Sequence, residues 1–163
     1  MSTFLDQVFD YADAEFQGKS FNGPSLMATL RDLSAEAAAS TATYEGYCAW
    51  EVAHHLAYYK FFILKSLGLS AELEPYPFSS EDLDGPPADK SESAWKADLE
   101  YIEKCHNVTW KVLRNLPATQ LEAVMPEWKV SYGKAIAWLM SHDAYHIGQI
   151  RSMGVPGLRT LKP

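Results

Sequence analysis

Two histidines four residues apart, near the C-terminus, are the first candidates for chemistry. They stand in Trp138-Leu-Met-Ser-His142-Asp-Ala-Tyr-His146-Ile-Gly-Gln149-Ile-Arg151. No proline or β-branched run interrupts this segment and its apolar residues recur at helical spacing, so a helix is predicted from about Tyr132 to Met153. Positions four apart on a helix differ by roughly 40° of rotation and about 6 Å of rise, so two imidazoles can reach one point. At about 100° per residue, Ala135, Trp138, Leu139, Gln149, Ile150 and Met153 fall around His142, which puts both histidines inside the apolar stripe. A buried imidazole needs partners for both nitrogens. Carbonyls or water could supply them, but two inward imidazoles at this spacing favour a shared metal ion.

Two ligands do not complete a site, and the other elements must supply a third. A second long helix is predicted from about Tyr47 to Leu67, closed by Gly68 in the left-handed conformation, with Val52, Leu56, Tyr59 and Ile63 as its inner stripe. His54 and His55 lie about 100° apart and cannot both face inward. Measured from Val52, His55 falls at roughly −60°, on the flank of the stripe, and His54 near 200°, on the back. A third helix, about Glu92 to Leu116, carries Trp95, Leu99, Ile102, Thr109, Val112, Leu113 and Leu116 inward. His106 sits at the edge of that stripe and competes with His55. Glu51, one turn before His55, reads either as a polar neighbour of the site, base or supporting partner, or as a solvated carboxylate. Cys48, about 10 Å along the axis from His55, reads as a small buried hydrophobe.

A first helix ends at about Gln17, with Phe4, Leu5, Val8, Phe9, Ala12 and Phe16 at helical spacing. After a break from Gly18 to Pro24, a short helix from Leu26 to Leu33 and a further turn at Ser34–Ser40 serve packing. Residues 68–90, with prolines at 75, 77, 86 and 87, form one long loop, and Pro117 and Pro126 frame a second. No alternating segment is strong enough to predict a sheet. Ala137, Ser141, Ala144 and Gly148 make a ridge of small residues opposite the histidines, suited to close packing against a neighbouring helix or a second subunit.

At 163 residues the chain is expected to be one domain, residues 1–163, with an all-α fold. Its 14 basic against 21 acidic residues give a net charge of −7, with no basic run to follow a phosphate backbone, which argues against a nucleic-acid partner. No apolar run approaches a membrane span and the first residues lack the pattern of a signal peptide, so no membrane partner and a cytoplasmic location are expected. Cys48 and Cys105 are far apart and expected to be reduced.

Trp50-Glu-Val-Ala-His-His55-Leu-Ala-Tyr-Tyr, His142-Asp-Ala-Tyr-His146-Ile-Gly-Gln-Ile and the Gly23-Pro24-Ser25-Leu26 turn together resemble the DinB-like family. The likeness extends across nearly the whole chain. It implies a four-helix bundle of up-down-down-up topology, often dimeric, that binds a divalent metal through three histidines. Matching motif to motif, the ligands it implies are His55, His142 and His146, with His54 and His106 left out. Relatives of this kind include thiol-dependent isomerases and transferases.

Three neutral imidazoles and an open position resemble catalytic rather than structural zinc sites, and nickel or iron(II) would fit as well. Such an ion lowers the pKa of a water or a thiol toward neutrality. The expected function is therefore that of a metal-dependent, thiol-dependent transferase or hydrolase acting on a small molecule, with a low-molecular-weight thiol as a further cofactor. One rival is a non-catalytic metal-binding stress or sensing protein. A weaker one takes His142-Asp-x-x-His146 as a metalloprotease-like variant with Asp143 as base. Because ligation needs unprotonated imidazole, metal affinity is expected to fall below about pH 6.5.

Overall fold

The computed structural model describes residues 4–78 and 83–158, and the described chain is built on helices. Their order is α1 (Phe4–Phe16), α2 (Leu26–Arg31), α3 (Ala35–Ala38), α4 (Ala49–Ser66), α5 (Glu92–Leu113), α6 (Ala118–Glu122) and α7 (Tyr132–Ser152). The side chains of Phe4 and Leu5, part of the stripe expected on α1, lie outside the described set, as do residues 79–82 of the long loop. That loop also holds a short 3-10 helix, Ala71–Leu73.

Local chemistry sets the ends of the helices that matter. Cys48 caps α4: its sulfur accepts the Glu51 N–H, and the Glu51 carboxylate reaches back to the Cys48 N–H at 2.6 Å, a reciprocal capping box. At the far end Gly68 has φ +71°; its N–H donates to Lys65 O and that of Leu69 to Leu64 O, the two-bond closure expected of a left-handed glycine. Ser91 and Ser131 cap α5 and α7 through side-chain oxygens that accept the N–H of Ala94 and Lys134.

Helix α4 packs against both α5 and α7, while α1 packs on α2 and α7. The core between them holds Trp50, Val52, Leu56, Ile63, Leu64, Ile102, Leu113, Leu139 and Ile150, all buried. The stripes expected on α4 and α5 therefore face inward, although Tyr59, Val112 and Leu116 are only half-buried.

Departures from the sequence reading lie in the second loop and at Trp138 of α7. The Pro117–Pro126 loop contains α6, and it leads into a minimal antiparallel hairpin in which Val124–Met125 (β1) pairs with Val130–Ser131 (β2). Two residues per strand are too few for alternation to register in sequence. Trp138, expected in the inner stripe of α7, is 44% exposed. The ridge Ala137, Ser141, Ala144 and Gly148 is exposed, so no helix among the described residues covers it.

Candidate metal centre

The fold brings His55 of α4 to His142 and His146 of α7. One nitrogen from each lies within 4.8 Å of the others. His142 Nε2 stands 3.1 Å from His55 Nε2 and 3.1 Å from His146 Nε2. His55, and not His106, is thus the histidine that joins the pair on α7.

Supporting bonds fix which nitrogen faces inward. The amide oxygen of Gln149 can only accept, so its 2.6 Å contact is donated by His146 Nδ1–H. The amide cannot turn over freely, because its nitrogen donates to the Glu45 carboxylate. A neutral His146 therefore carries its lone pair on Nε2, toward His142. Burial of His142, then the neighbouring His146 and His55, then Lys60, push its pKa down to about 3. Burial also lowers that of His146, against the opposing pull of the Gln149 bond. Unprotonated imidazoles at close quarters cannot all be satisfied by one another, and His142 Nδ1 is buried without a partner. The donor types suit a divalent ion: with metal–nitrogen distances near 2.0–2.1 Å, two nitrogens on one tetrahedral zinc stand about 3.3 Å apart, close to the 3.1 Å separations of His142 from each of the other two, and the whole set lies within 4.8 Å.

The remaining candidates are held elsewhere. His106 is fully buried between α1 and α5, stacked on Phe16 at 3.7 Å and hydrogen-bonded to Asp13 at 3.0 Å. His54 bonds Asp98 at 2.7 Å and Trp50 at 3.0 Å, and stacks on Phe78. Glu51 is buried, neither solvated nor among the clustered ligands; one oxygen caps Cys48 and the other accepts the Gly85 N–H. It ties the long loop to the start of α4. Cys48 is a buried cap whose thiol pKa burial raises to about 11, and it and Cys105 are free.

Asp143 requires a correction. The protease-like reading made it a base at the metal, but it is buried and its Oδ2 lies 2.6 Å from Lys60 Nζ. The Lys60 side chain is 0% exposed. Its ammonium also lies over the rings of Phe16 (4.9 Å) and Trp110 (5.8 Å), and 3.4 Å from Leu56 O. A carboxylate neutralising a buried cation is not free to activate water. Sequence reasoning passed over Lys60, though a lysine spaced four from both Leu56 and Leu64 within an apolar stripe is a readable signal.

Beside the cluster opens a cavity of about 430 Å³ lined by Tyr59, Trp128, Trp138, Leu139 and His142. His142 belongs to both cavity and cluster.

Fold and site together define a mostly helical protein with a three-imidazole cluster able to hold a metal ion. The chain belongs to the DinB superfamily, whose family model matches residues 24–150. Neither the curated proteins nor the solved structures gave a match. No helix of the described residues is long and apolar enough to cross a membrane.

Proposed function

We propose that this protein is a divalent-metal-dependent enzyme of the thiol-dependent transferase or hydrolase kind, with His55, His142 and His146 as its metal ligands. The observation that carries the reading is that His142 serves the cluster and at the same time walls a cavity of substrate size. A metal-storing or sensing protein needs no such opening. When bound, a zinc, nickel or iron(II) ion supplies Lewis-acid chemistry that lowers the pKa of a water or thiol beside it. The chain's own residues prepare for that. Gln149, itself held by Glu45, orients His146, and burial keeps His142 and His146 unprotonated at neutral pH.

The same reading takes α1, α4, α5 and α7 as a four-helix bundle in up-down-down-up order and places the protein in the cytoplasm. It also pairs two copies through the exposed ridge of Ala137, Ser141, Ala144 and Gly148.

The test is metal binding followed by turnover. One zinc or nickel per chain is expected, and at about a thousandfold excess over Kd it adds about 4 kcal/mol of stability, equivalent to roughly 12 °C in Tm for a chain of this length. Metal-loaded protein is then screened with low-molecular-weight thiols and electrophilic partners. If neither metal raises Tm, the reading fails.

A further inference from the structure

We propose that the cavity beside His142 binds a neutral, planar aromatic group, which is the part of the substrate that selects it. For its catalytic meaning the inference rests on the function proposed above. Trp128 and Trp138 face the cavity as a splayed pair, with centroids 6.2 Å apart and planes 39° from parallel. Tyr59 completes the ring, 5.9 Å from Trp128 and 4.8 Å from His142. Such faces hold a flat ring by offset and edge contacts, each worth about 0.5–1.5 kcal/mol beyond burial of area. The volume of about 430 Å³ is toward the lower end of small-molecule sites, which run from about 300 to 1,000 Å³.

Trp128 is not a loose surface residue. It sits in the turn joining β1 to β2, where Lys129 takes φ +58° and its N–H closes onto Met125 O at 3.0 Å. The turn is fastened to the end of α4, where Ser66 donates to Glu127 at 2.6 Å and Tyr132 donates to Ser66 O at 2.9 Å. Phe62 stacks behind Trp128 at 5.7 Å. The hairpin, which has little other content, presents an indole to the cavity.

Charge decides between the ligands an aromatic cleft can take. No aspartate, glutamate, lysine or arginine is among the described residues lining the cavity, so nothing there pairs with a charged ligand. A quaternary ammonium would meet Trp138 with Lys134 Nζ already 5.1 Å from its ring, and would approach the ion that the histidines hold. An anion would find no lysine or arginine among the described lining residues; the ion at His142 would draw it away from the aromatic faces, in a chain of net charge −7. A neutral ring avoids both penalties.

The experiment uses the full chain, metal-free and zinc-loaded, with 2-naphthol, cyclohexanol and choline as probes, read by calorimetry and saturation-transfer NMR. 2-Naphthol is expected to bind both forms. Cyclohexanol and choline should bind at least tenfold more weakly. Trp128→Ala should weaken naphthol binding at least tenfold without changing zinc affinity, and Trp138→Ala, at an exposed position, should weaken it with the fold intact. Choline binding as tightly as naphthol, or naphthol binding unchanged in both variants, overturns the inference. Zinc binding without naphthol binding overturns it alone, whereas naphthol binding without zinc binding overturns the proposed function and leaves the aromatic site standing.

Discussion

Replacing Asp143 by Asn should be the most damaging single polar change in the core, although it touches no metal ligand. The substitution keeps the shape and removes the charge that neutralises Lys60, whose ammonium is then left with one carbonyl at 3.4 Å and two aromatic faces. Breaking a buried ion pair by removing one partner costs about 3–5 kcal/mol. With unfolding entropy near 2.1 cal/mol/K per residue, 163 residues correspond to about 0.34 kcal/mol per degree, so Tm should fall by about 9–15 °C. The assay is thermal and urea unfolding of the metal-free protein at pH 7. A fall of less than about 3 °C refutes the reasoning.

The other expectations concern the histidines. His55→Ala and His146→Ala should each weaken zinc binding at least a hundredfold by calorimetry while circular dichroism shows the helices retained; His54→Ala should leave zinc affinity unchanged, since His54 bonds Asp98 and Trp50. Gln149→Leu should lower zinc affinity about 10–100-fold and leave the fold intact, by freeing the ring orientation of His146. The structure also moves the pH expectation. His142, held down at about 3, stays unprotonated well under pH 6.5, and burial holds His146 below its usual value. Between those limits the unfolded chain binds protons that the folded chain refuses, so metal-free stability is full above about pH 6.5 and declines toward pH 3. Zinc should accordingly survive to about pH 5 in equilibrium dialysis, and the acid decline in Tm should flatten in His142→Asn.

The parts of this protein legible in its sequence are those governed by one helix at a time. The 3.6-residue period located the four long helices, Gly68 closed α4 as its missing side chain allows, and rotation about α4 put His55 on the flank of the inner stripe; the same rotation put His54 on the back, whereas it is half-buried against Asp98 and Phe78. What periodicity could not give was rotation of one helix against another, which is why it gave His55 only a modest lead over His106, a residue that the fold stacks on Phe16. Asp143 failed for a related reason. A carboxylate about 100° from the histidines looks peripheral on a single helix, but a lysine on α4 makes that flank interior. Glu51 carried a capping-box role in its spacing from Cys48, yet cysteine is not among the residues that usually signal an N-cap. Trp128 was beyond reach, since two-residue strands leave no pattern.

The Lys60–Asp143 pair also bears on the site itself. Asp143 follows His142 directly on α7, and Lys60 lies five residues beyond His55 on α4, so one bond and the histidine cluster fasten the same two helices. A slip of one turn, about 5.4 Å, would break both at once and strand two charges in the core. The pair therefore specifies how α4 sits on α7, a role separable from its net stability. Replacing both partners by apolar residues, Lys60→Met with Asp143→Leu, removes the charges together and should recover most of the stability lost in Asp143→Asn, to within about 1–2 kcal/mol of the parent. Zinc affinity in that double variant should nonetheless drop about tenfold, because the two helices are then held only by apolar packing that tolerates small shifts. Recovery of stability with zinc affinity unchanged would show that the histidines set their own alignment and that the buried charges serve the core alone.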